Sequence, residues 1–203
     1  KEPGDIFAFM YHDLTENDAE TGTWCTTPAQ MRADIETVLS YGYLPLSLED
    51  YITGNYELGP DYFIVTFDDG YLSNLTLAEP VLAEMGIKAA VFVITGSTSL
   101  PSHMSWDQLA ELLATGTFTV YSHTHSHLNN AAVSNDAFLA DEALAWQELT
   151  EHLGDIPYRV LSYPNGDYTL TTMRALAADG YDLFVIQNIP GWYTENNPYG
   201  IRI

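Results

Sequence analysis

Short apolar runs, each ending at a polar residue and each followed by a capped helical stretch, set the plan of this chain. Ile6 to Tyr11, Phe63 to Phe67, Ala89 to Ile94, Phe118 to Tyr121, Arg159 to Tyr163 and Asp182 to Ile186 read as strands. The first three are nearly unbroken apolar runs, as expected of strands buried on both faces. Between them lie helical signals. Thr27 as N-cap, Pro28 at the first position and Gly42 as stop delimit one helix. Ser105 with Gln108 three residues on forms a capping box, closed by Gly116. Leu48 to Ile52, Leu75 to Met85, Ala137 to Leu153 and Leu170 to Ala178 complete the set, the last three stopping at Gly86, Gly154 and Gly180. Alternation of this kind implies parallel strands joined by right-handed helical crossovers. A complete eightfold barrel needs about 250 residues. With 203 residues the chain has room for six or seven units, so a smaller or incomplete α/β barrel in one domain spanning 1–203 is expected. Tyr199 to Ile203 reads as the start of a final strand, which leaves room for a longer parent protein.

The polar outliers cluster by position. His12, Asp68-Asp69, His123 to His127 and Tyr163-Pro164-Asn165 each come directly after a strand. They therefore fall at the carboxyl edge, where parallel α/β folds build their sites. Asp68 and Asp69 leave a hydrophobic strand with no spacer, so a cation or a proton must compensate them; a turn built from Asp and Gly is the plainer alternative. His123 and His127 are four residues apart, a spacing that on a helical turn puts two imidazoles on one side. In that geometry His125 points away, although a non-helical loop would let it take either place. Two imidazoles and a carboxylate suit zinc or another divalent first-row metal, with positions left for water and substrate.

Charge narrows the partners. Six basic residues against 28 acidic ones give a net charge of -22, which disfavours nucleic acid and anionic membrane surfaces. No apolar run approaches the roughly 20 residues needed to cross a bilayer, so no membrane insertion is expected. The single cysteine, Cys25, rules out an intrachain disulfide. Lys1 to Gly4 lacks the features of a signal peptide, as a mature chain or a trimmed one would.

Thr66-Phe67-Asp68-Asp69-Gly70 and His123-Thr124-His125-Ser126-His127 resemble the first two motifs of the polysaccharide deacetylases, carbohydrate esterase family 4, also called the NodB homology domain. Met10-Tyr11-His12-Asp13, Val91-Phe92-Val93, Ser105 to Leu109 and Ser162 to Asp167 extend the resemblance over nearly the whole chain. It is closest to the branch of poly-N-acetylglucosamine deacetylases, where a Tyr-His-Asp element precedes the Asp-Asp motif. The resemblance implies a distorted (β/α)7 barrel and metal-dependent deacetylation of a sugar polymer. By motif position Asp69, His123 and His127 would bind the metal, most simply Zn, with Co or Ni as alternatives, and Asp68 would be the base. Tyr163, Asn165 and Trp192 are candidate sugar contacts, each equally open to a packing role.

Two departures stand out. Many members carry an arginine where this chain has Ser162, and Arg159 or Arg202 would have to replace it. The late Leu-x-x-His motif is absent; His12, which ends a strand on the same rim, is the natural replacement to protonate the leaving amine, the alternative being a histidine satisfied by local hydrogen bonds with Asp13. The expected partner is an N-acetylated polysaccharide, either a β-linked N-acetylglucosamine polymer or peptidoglycan. Acetylated xylan, an O-acetyl ester, and a non-catalytic metal- or sugar-binding module are the alternatives. A secreted or cell-surface monomer is the accompanying expectation.

Overall fold

The computed structural model describes residues 4–186 and 200–202. Seven strands, β1 (Ile6–Tyr11), β2 (Tyr62–Phe67), β3 (Ala89–Val93), β4 (Phe118–Ser122), β5 (Val160–Ser162), β6 (Leu183–Ile186) and β7 (Gly200–Arg202), follow one another in the sheet in chain order. The pairs β1–β2, β2–β3, β4–β5, β5–β6 and β6–β7 are all parallel. Sequential order is the winding of a barrel, whereas a doubly wound sheet reverses direction part-way. Six helices accompany the strands: α1 (Pro28–Ser40), α2 (Leu48–Thr53), α3 (Glu79–Met85), α4 (Trp106–Thr115), α5 (Asn135–Leu153) and α6 (Leu170–Ala178). None of the described helices is long and apolar enough to cross a membrane.

The helix ends follow the sequence signals. Thr27 accepts from the Gln30 N–H ahead of Pro28, and Ser105 and Gln108 form the reciprocal capping box on α4. Each such cap contributes about 1 kcal/mol by satisfying an amide that the helix itself cannot. One expectation differs. Where Leu75 to Met85 suggested a single helix, a π-turn at Asn74–Ala78 precedes α3.

The chain divides into two compact units. The first holds 1–91 and 99–120. Its centre is β2, all six of whose residues are buried. One edge pairs with β1 from Ile6↔Tyr62 to Tyr11↔Phe67; the other pairs with Leu44–Pro45 and then with β3. Burying a Phe, Ile or Val contributes about 1.5 to 3 kcal/mol each, so Phe63 to Phe67 anchor this unit. β1 departs from the reading of a fully buried strand. It ends the strand order, and of its six residues only Ala8 is buried.

The second unit holds 92–98 and 121–203. Its core gathers Phe138 of α5, Leu161 of β5, Met173 and Leu176 of α6, Phe184 of β6, and Tyr163 and Tyr181. Ser122↔Leu161 and Val160↔Leu183 set the register of its strands.

Candidate active site

The aspartate turn grows directly out of β2. The Asp68 N–H donates to the Tyr11 carbonyl at 2.9 Å, which carries the β1–β2 ladder one residue past the strand, and the residue is only 5% exposed. Asp69 and Gly70 then take left-handed backbones, φ 72° and 83°. Among the described residues the non-glycine positions with positive φ are Asp69, Thr124, His127 and Asn165. All four lie in the strand-end segments singled out from the sequence. Such conformations cost on the order of 1 to 3 kcal/mol and persist where the surroundings enforce them.

His12, one residue past β1, is fixed through its carbonyl, which accepts from Asn74 Nδ2 at 2.8 Å. Asn74 is fully buried and opens the π-turn, a feature that recurs at functional sites. Trp24 packs on the His12 ring at 4.7 Å. The neighbouring Asp13 uses Oδ1 to accept from the Ser73 hydroxyl at 2.6 Å and the Leu14 N–H at 2.9 Å. Two residues that the sequence did not mark also border the turn. Tyr71 follows Gly70 and stacks on His103 at 4.6 Å. Burial pushes the His103 pKa down, against the pull of Asp69 and Asp13; burial and then the same two carboxylates push the Tyr71 hydroxyl up. Tyr71 was readable as part of the Asp-Asp-Gly segment, but nothing in the sequence ties His103 to it.

The histidine segment is a loop, so of the two arrangements the sequence left open, a helical turn and a non-helical loop, the structure takes the second. Left-handed Thr124 and His127 bend the chain instead, and the two rings meet edge to face at 4.9 Å. His123 is 2% exposed, and its Nδ1 donates to the Ser162 carbonyl at 2.8 Å. A carbonyl can only accept, so this bond fixes the tautomer with the lone pair on Nε2, as in histidines that bind metal. Position 162, where an arginine was expected, thus orients His123 through its backbone.

α5 grips the same loop with three carboxylates that the sequence reading passed over. Asp141 accepts from the Ser126 N–H at 2.9 Å, and Glu148 from His125 Nδ1 at 2.8 Å. Glu142, wholly buried, accepts from the Ser122 hydroxyl at 2.7 Å and from Tyr181 at 2.6 Å. Ser122 in turn accepts from the Thr124 N–H at 3.1 Å. Burial pushes the Glu142 pKa up to about 7, with the Tyr181 and Ser122 hydrogen bonds opposing. His125 is therefore a structural member of the loop. Gly96 packs beneath it so closely that a Cβ there would lie 2.6 Å from the His125 carbonyl oxygen.

One donor atom from each of Asp69, His123 and His127 lies within 4.8 Å of the others. Two imidazole nitrogens and one carboxylate oxygen at that spacing fit a divalent first-row metal, and the tautomer of His123 is the one such an ion needs.

The sequence model of the family described as polysaccharide deacetylase matches residues 55–184, well over half of the chain. The chain belongs to the polysaccharide deacetylases. Among relatives of this family, Bacillus subtilis YxkH, which is named as one of them, is 26% identical over 189 residues; these span 91% of this chain and 65% of that protein. The chain therefore covers somewhat less than two thirds of that relative. The structure of IcaB from Ammonifex degensii superposes with a TM-score of 0.84 at 25% identity, covering 100% of this chain and 92% of the other. The Streptococcus pyogenes deacetylase PplD, solved in complex with acetate, gives 0.81 at 23% identity, with 99% and 93% covered. The fold class is that of the deacetylase family, the distorted (β/α)7 barrel type expected from the sequence.

The remaining sequence candidates fall out unevenly. Tyr163 is 2% exposed and stacks on Phe138 at 5.3 Å, a core position with no open face for a sugar. Asn165 is exposed, in a left-handed turn. Trp192 and the side chain of Arg202 lie outside the described residues. Arg159 precedes β5, at the far end of that strand from Ser162. Its guanidinium packs over Trp146 and Tyr181, at 4.8 and 4.4 Å, and it pairs with Asp179 at 3.2 Å.

Proposed function

We propose that this protein hydrolyses the N-acetyl amide of a β-linked N-acetylglucosamine polymer, working outside the cell or at its surface. The observation that carries this reading is the convergence of Asp69, His123 and His127, in a chain of the deacetylase family, beside the non-redundant acid Asp68. In this reading the three converging residues hold a divalent metal, with zinc the first choice. When bound there, such an ion supplies Lewis-acid polarisation of the acetyl carbonyl and lowers the pKa of a water towards about 7.

The chain's own groups handle the protons. Asp68 takes one from the attacking water as its oxygen bonds to the acyl carbon. His12 delivers one to the nitrogen as the carbon–nitrogen bond breaks, so acetate and a free amine leave. A pair of titratable groups in unlike surroundings suits such a division of labour. Asp68 is buried behind a strand, and His12 stands against an exposed tryptophan. Binding alone would have no use for Asp68, which weighs against a module without turnover.

The test is acetate release from an N-acetylglucosamine oligomer by chelator-stripped protein, before and after zinc, cobalt or nickel is restored. An acetylated xylan fragment runs alongside. Metal-restored release from the amide supports the proposal, and release only from the ester transfers it to an O-acetyl esterase. No release from either substrate with metal bound overturns it.

A further inference from the structure

A cavity of about 260 Å³ opens beside His12. Small-molecule pockets generally begin near about 300 Å³, so it has room for one sugar ring and not for a length of chain. Its walls combine three kinds of group. Trp24, 55% exposed, offers an aromatic face. Asp13 and Asp34 bring two carboxylates, and Tyr11 and His12 complete the lining. Among the described residues no lysine or arginine lines it.

The wall is built in advance of any ligand. The Trp24 carbonyl accepts from the Asp13 N–H at 3.0 Å, and the Thr26 carbonyl from the Thr15 N–H at 2.9 Å, so the loop bearing the indole is stitched to the residues after β1. Asp34 is held on both oxygens, by Gln30 Nε2 at 2.7 Å and the Tyr11 hydroxyl at 3.2 Å. Neither donor carries a positive charge, so its negative charge is left without a counter-charge from these partners. The field in the cavity registers on its own lining. Cys25 is pushed up by burial and then by Asp13 and Glu20; Tyr11 is pushed up by burial and then by Asp34.

A negative field over an aromatic face is the arrangement that selects a cation on a small apolar body. We propose that this cavity is a subsite for a protonated amino sugar, a glucosamine unit whose acetyl group has already been removed. The identity of the sugar rests on the deacetylase reading above, whereas the preference for a cation rests on the cavity. Trp24 covers one face of the ring and the ammonium group lies towards Asp34 and Asp13. A polymer engaged here presents a deacetylated unit next to His12, so the protein favours chains that are already partly deacetylated.

The experiment is calorimetric titration of the full chain with a fully deacetylated glucosamine tetramer, which offers no acetyl group to hydrolyse, and with glucosamine itself. Asp34→Asn preserves an acceptor for Tyr11 and removes the charge; it should weaken tetramer binding about tenfold, and Trp24→Ala by a similar factor. In the wild type, raising the salt from about 0.05 to 0.5 M should weaken binding several-fold, because exposed charge recognition is screened. Binding that ignores salt and is equal in all three proteins overturns the proposal. Acetate release is no part of this readout, so failure of the proposed reaction would show in the preceding assay and leave this one intact.

Discussion

The Asp68–Asp69 turn and the His123–His127 loop each end a buried strand, yet they are held by different parts of the chain. The turn rests on the strand ladder. β2 is buried along its whole length, the Asp68 N–H extends the ladder to Tyr11, and two successive left-handed residues redirect the backbone. The loop leans on a helix further along the sequence, since Asp141, Glu142 and Glu148 of α5 hold Ser126, Ser122 and His125. One element is held by strand pairing and the other by the side chains of a helix. Their failures should therefore look different: a change at Asp68 should remove chemistry and leave the metal, a change at Asp69 should release the metal, and changes around the loop should loosen metal and fold together.

Asp68→Asn draws that line most sharply. It keeps the shape of the side chain and removes the base, so acetate release should fall by at least about a hundredfold, the scale of general base catalysis. Metal content, read by atomic absorption, should stay at the wild-type level. His127→Ala should show the reverse order of events, with metal lost first and activity lost as a result. A metal-free Asp68→Asn protein would erase the distinction between ligand and base.

Glu142 supplies the next largest effect. Burial pushes its carboxyl up to about 7 in the folded protein, from an ordinary value of 4.5. Between those values the folded state keeps a proton that the unfolded chain has released, so raising the pH through this window erodes stability. Below 4.5 the two states are protonated alike and the difference vanishes. The shift corresponds to at most about 3 kcal/mol. Glu142→Gln cannot titrate, so denaturant melts from pH 5 to pH 8 should show a flatter profile than the wild type. Equal slopes in the two proteins would remove Glu142 from the pH response.

What could be read in the sequence follows the same division. The strand ending in Asp68-Asp69-Gly70, the Thr27 and Ser105 caps and the sequential strand order all depend on near neighbours or on a periodic pattern, and each was legible. The convergence of His123 and His127 was legible too, but for a different reason from the one offered. The spacing argument used a helical turn with a non-helical loop as the alternative, and the structure uses two left-handed residues in a loop. The three α5 carboxylates were invisible because acids on a long helix normally face solvent, and burial of Glu142 depends on Ser122 and Tyr181 arriving from elsewhere. Tyr163 misled in the opposite sense. Its place after a strand suggested the rim, but β5 is buried at every residue and Tyr163 continues that burial by stacking on Phe138.

Gly96 tests how tightly the loop is braced from below. A methyl group there would press on the backbone oxygen of His125, at 2.6 Å, so the loop or the Thr95–Ser97 turn has to move. Gly96→Ala should cost about 1 to 3 kcal/mol, the usual scale for overpacking, and lower metal affinity in the same protein. Thermal melts with and without added zinc would separate the two. If stability falls while metal affinity holds, the loop carries its ligands independently of the packing beneath it.

Asn165 should give the smallest effect and decides whether the third strand-end segment belongs with the turn or with the loop. It is exposed, with φ 60°, in the short turn Pro164–Gly166 that follows β5. Glycine takes that conformation without strain, so Asn165→Gly keeps the backbone and deletes only the side chain. Stability should change by no more than about 0.5 kcal/mol, as for most exposed positions. A role in holding sugar would then appear alone, as a several-fold rise in KM for an N-acetylglucosamine oligomer with kcat unchanged. Unchanged KM and kcat would mean that Asn165 serves only its turn. That outcome would leave the Ser162 carbonyl on His123, at the end of β5 just before this turn, as what this strand end contributes to the site.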